Sequence, residues 1–105
     1  MANDNNRILL EIDKIIRELN REIINPAFQE LTVADLSPVL KLVARARSAY
    51  LKELLDIAHI AGDGLPPPEQ VKQLQRLRLT FEELVKGSQA IETAIQRGYL
   101  DVKPR

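Results

Sequence analysis

Apolar residues recur every third and fourth position over three stretches of the chain, the period of a helix with one buried face. In the first stretch Leu9, Ile12, Ile16, Leu19 and Ile23 form a heptad stripe, widened by Ile8 and Ile15, and this predicts a helix over about residues 5–25. Pro26 ends it, because the residue before a proline is pushed out of helical geometry. A second helix is expected over 37–61, with Ser37 as N-cap, Pro38 at the first helical position and Gly62 as the left-handed stop. In the third, over 68–97, Leu74, Leu77, Phe81, Leu84, Ser88, Ile91 and Ile95 hold the heptad spacing, and Gly98 follows. Residues 62–68, Gly-Asp-Gly-Leu-Pro-Pro-Pro, read as a loop that makes the second and third helices antiparallel neighbours.

The connector 26–36 is apolar for a link, carrying Phe28, Leu31, Val33 and Leu36. It is expected to pack between the first two helices, with a short helical turn starting at Thr32. The expected fold is therefore all-α: a single domain, an up-down-up antiparallel three-helix bundle, with a flexible tail over 99–105.

The second helix is the most informative. At about 100° per residue, Lys41, Arg45, Ser48, Lys52, Asp56 and His59 share one polar wedge, and apolar residues fill most of the remainder. That arc is wider than the stripe a surface helix needs. Either the connector covers the excess or a second chain does. The third helix also overhangs a simple bundle, so Ile91 and Ile95 need a cover as well. Arg47 lies inside the apolar arc, where an arginine either snorkels, pairs with a glutamate, or meets a partner or an anion.

Composition narrows the chemistry. Of 105 residues, 45% are hydrophobic and 29% charged, a globular balance. Fifteen Lys and Arg offset 15 Asp and Glu, which disfavours a strongly basic nucleic-acid binder. There is no cysteine and a single histidine, His59, so thiolate chemistry and paired-histidine metal sites are not expected. His59, near Asp56 and Asp63, reads as a solvated helix-end cation. Phosphate-binding, dinucleotide, calcium and nucleophile-elbow motifs are absent from the sequence. The opening Met-Ala-Asn-Asp-Asn-Asn has neither region of a signal peptide, and no apolar run reaches the roughly 20 residues of a membrane span. A cytoplasmic location is expected.

These readings point to a non-catalytic helical protein–protein interaction module without cofactor or metal. It is expected to form a homodimer through Tyr50, Leu51, Leu55, Ile91 and Ile95, with Tyr50 as anchor. The alternative is nucleic-acid or anionic-ligand binding through a patch of Lys41, Arg45, Lys52, Lys72, Arg76 and Arg78.

Overall fold

Local chemistry at the helix ends sets the course of this chain. The computed structural model describes the backbone of residues 2–105 and the side chains of residues 4–105. Three helices follow one another: α1 (Ala2–Ile24), α2 (Val33–Ala61) and α3 (Pro68–Gln96), with a 3-10 turn over Asn25–Phe28 after α1. Among the described residues there is no strand, only an isolated bridge between Thr32 and Lys103.

α2 begins at Val33, one turn before the Ser37–Pro38 start that the sequence suggested. The reason is a better cap upstream. The Asp35 carboxylate accepts from the Thr32 N–H at 2.8 Å and from its hydroxyl at 2.9 Å, and the Asp35 N–H reaches back to the Thr32 Oγ1 at 3.4 Å. This is the reciprocal capping pattern with an aspartate in the acidic position. Pro38 consequently sits inside the helix. Its missing N–H leaves the exposed Ala34 carbonyl to water.

The helix stops are glycines in left-handed geometry. Gly62 has φ 58° and its N–H returns to the Ala58 carbonyl at 3.3 Å. Gly98 has φ 77°; its N–H donates to Ile95 at 3.1 Å, and the Tyr99 N–H to Ala94 at 2.8 Å. That pair of bonds is a Schellman stop, and it throws the chain sharply away from the axis of α3.

By its contacts the chain divides into two compact units. One unit is Leu36–Ala90, the hairpin of α2 and the first part of α3. The short loop after α2 turns the chain back, so Phe81 stacks against Tyr50 with ring centroids 6.2 Å apart. Val43 and Ile57 are its buried residues. The other unit joins the residues up to Asp35 with Ile91–Arg105. Here Leu100 is only 5% exposed. The segment expected to be a flexible tail is hydrogen-bonded along its length: Arg21 donates to the Gly98 carbonyl, the Asp101 N–H donates to Asn25, and Lys103 exchanges backbone bonds of 2.9 Å with Leu31 and Val33.

Two glycines separate backbone strain from packing. A Cβ at Gly98 or at Gly87 would meet nothing within 4 Å, but only Gly98 is left-handed. Gly98→Ala is expected to lower stability by about 1–2 kcal/mol. Gly87→Ala, in the middle of α3, is expected to raise it by about 0.5–1 kcal/mol. Urea unfolding followed by circular dichroism measures both.

Candidate interaction surface

Beside the face that α2 packs on α3 lies a second apolar one. The packed face carries Val43, Tyr50 and Ile57. Spread over about 40–140° round the helix from it lie Leu40, Ala44, Leu51, Leu54 and Leu55, and the four leucines are between 43% and 70% exposed. Ala44, Leu51 and Leu55 line a shallow depression rimmed by Arg47, Lys52 and Asp56. The rest of its outer border is cationic, since Lys41 and Arg45 follow Lys52 around the helix.

Arg47 is exposed, not buried, and makes no glutamate pair within its unit. Its guanidinium carbon sits 5.2 Å from the centroid of the Phe81 ring. Phe81 therefore takes Tyr50 as a stacking partner and Arg47 as a cation, from positions one helical turn apart on α2. The aliphatic stem of Arg47 extends the apolar face while its charge stays wet.

The structure distributes the expected interface residues unequally. Leu51 and Leu55 are exposed on the outer face of α2. Tyr50, the expected anchor, is half-buried and its ring is engaged by Phe81. Ile91 is half-buried and Ile95 marginally exposed, both in the unit that holds the chain's two ends. The six cations do not converge. Lys41, Arg45 and Lys52 project away from α3, while Lys72 and Arg76 lie on one flank of the packed face of α3 and Arg78 on the other. Arg78 lies 3.8 Å from Glu82, and Arg76 contacts Gln73. His59 is exposed in the last turn of α2, and among the described residues no three His, Asp or Glu side chains are grouped to hold a metal ion.

α1 carries a second bare face that the sequence reading assigned to a core. Its seam, Ile8, Leu9, Ile12, Ile15, Ile16, Leu19 and Ile23, is between 42% and 72% exposed at every position. What α1 packs inside its unit is a polar edge instead. Asp13 accepts from Arg97 at 2.6 Å and from Arg17 at 3.0 Å, and Arg97 also donates to the Tyr99 hydroxyl at 2.6 Å. Arg21 grips Asp101 with both nitrogens, at 3.0 and 2.6 Å. The bond from Arg97 holds the Asp13 carboxyl below its ordinary value of 3.8, and the bond from Arg21 does the same for Asp101. These pairs fix which way α1 faces, leaving the seam uncovered within this unit. The heptad spacing made the seam visible in the sequence; nothing in the spacing said it would stay bare.

No family model, curated protein or solved structure matches this chain.

The lowered carboxyl pKa values fix a pH dependence. A carboxylate with a depressed folded pKa adds stability above its unfolded value and loses it as pH falls through the folded one. The contributions of Asp13 and Asp101 are thus complete above pH 3.8 and decline below it. Thermal midpoints measured downward from about pH 6 should fall less steeply for Asp13→Asn and Asp101→Asn than for the parent chain. An acid limb unchanged in both variants would show that neither ion pair stabilises the fold.

Proposed function

We propose that this chain is a non-catalytic, cytoplasmic helical interaction module that acts by associating with a second copy of itself. The observation that carries the reading is the outer face of α2, where Leu40, Leu51, Leu54 and Leu55 stay about half exposed or more. Burying one such side chain fully is worth roughly 1.5–3 kcal/mol. Covering four that are half wet therefore recovers several kcal/mol, on the scale of a whole domain's net stability. An aligned run of large apolar side chains rimmed by polar ones is the mark of a protein-binding surface. The up-down-up order of three helices belongs to the same reading, with the connector 26–36 packed between the first two. A shallow depression on one helix gives no concave set of convergent polar groups for catalysis.

The splayed cations lend no support to anion binding as the main activity. Salt separates the two cases. Neutralising several phosphates makes affinity fall steeply with salt, whereas an apolar contact tolerates it.

Sedimentation at micromolar concentration is expected to show a species of twice the 11.9 kDa chain mass, persisting in high salt. Leu55→Glu should dissociate it without loss of helical signal, because Leu55 is 70% exposed in the single chain. A parent chain that stays at 11.9 kDa at every concentration would rule the reading out.

A further inference from the structure

The two bare faces differ in their borders. On α1, Glu11, Glu18 and Glu22 follow one another along one edge of the seam, all exposed. At about 100° per residue they lie directly beside Ile8 and Ile15. The opposite edge of α1 is occupied within its own unit, where Asp13 meets Arg97. On α2, the bare leucines are bordered by Lys41, Arg45 and Lys52, also exposed, with Arg47 among them and Asp56 as the acid on a mainly basic rim. One seam is edged with acid and the other with base.

Like-with-like pairing is therefore poor. Two α2 faces packed antiparallel bring the edge of Lys41 and Lys52 against the same edge of the other copy, and two α1 seams meeting edge to edge along the glutamates do the same with Glu11, Glu18 and Glu22. Like charges across an interface oppose association, and opposite ones steer and register it. An α1 seam on an α2 face satisfies both requirements, matching apolar to apolar and acid to base. Neither face is covered within its own unit, so each is open to the complementary surface of a second copy.

We propose that the seam of α1 docks on the outer face of α2 of a second copy of this chain, and that the exchange is reciprocal. Each chain gives its α1 and receives its partner's, which closes the assembly with two-fold symmetry and leaves neither seam exposed. This rests on the self-association proposed above and names the two elements that meet.

Two reversed chains test it. In one, Glu11→Lys, Glu18→Lys and Glu22→Lys make the edge of α1 basic. In the other, Lys41→Glu and Lys52→Glu make the edge of α2 acidic. Each alone is expected to sediment as a monomer with its helical signal intact. Mixed in equal amounts they should form a heterodimer, seen by native mass spectrometry, because the reversed α1 then meets the reversed α2 and the other pair is unaltered. Reversed chains that dimerise alone as well as the parent would overturn the α1–α2 contact while leaving self-association standing. A parent chain that never dimerises would overturn both. Monomers that stay monomers on mixing, beside a dimeric parent, also defeat the proposal.

The unaltered chain gives a second readout that needs no variant to fold. Unlabelled and nitrogen-15-labelled parent chains are unfolded and refolded together, then treated with a carbodiimide, which joins carboxylates to amines. Cross-linked peptides pairing Glu11, Glu18 or Glu22 with Lys41 or Lys52 should combine one labelled and one unlabelled partner in about half of cases, as random pairing of two-fold assemblies requires. Cross-links confined to a single isotope would place the contact within one chain and end the proposal.

Discussion

An amphipathic helix stays wet along its apolar side unless something covers it, and a chain of three such helices has only its own surface to offer. The rest of this structure depends on how that shortage is met. The hairpin of α2 and α3 spends one face of each helix on the other, around Val43, Tyr50, Ile57 and Phe81. The connector and the last residues of the chain close on each other around Leu100. Within its own unit each arrangement leaves a face bare, the leucines along one side of α2 and the isoleucines along α1. The ion pairs at Asp13 and Arg21 then act as a choice of face: they hold α1 by its polar edge.

Helix identity was legible in the sequence, because a heptad stripe and a glycine stop are local signals. α3 begins at Pro68 and ends just before Gly98, where pattern and caps agree. The start of α2 was misplaced because two capping sets compete within six residues. Ser37–Pro38 is a good start by type, yet Thr32 and Asp35 make the reciprocal bonds and win. The order of the last residues was invisible for a different reason. It depends on Arg21 meeting Asp101 and on Lys103 meeting Leu31 and Val33, pairings between opposite ends of the chain that no window of sequence contains.

The candidate surface on α2 was half legible. The excess apolar arc of α2 could be counted from its wheel, and Leu51 and Leu55 lie exposed on it as that count implies. Tyr50 looked equally available, but its exposure depends on Phe81, a residue of another helix. Arg47 looked misplaced for the same reason, since the ring that accepts its charge is also Phe81. The charge balance concealed the arrangement further. A net charge of zero describes a chain in which glutamates border one helix and lysines another, and a sum carries no record of that separation.

The pairing between chain ends also fixes an order of events in time. Asp13 and Arg97 stand 84 positions apart, and Arg21 and Asp101 stand 80 apart. The contacts within the hairpin lie between Leu36 and Ala90. On a ribosome the partners within that hairpin are all present before residue 91 emerges, whereas α1, made before it, has none of its long-range ion-pair partners until Arg97 and Asp101 appear. Segments fold as soon as their contacts exist, and distant contacts come late. A helix made before the hairpin is thus anchored after it, and until then its row of isoleucines is open to whatever chain is nearby.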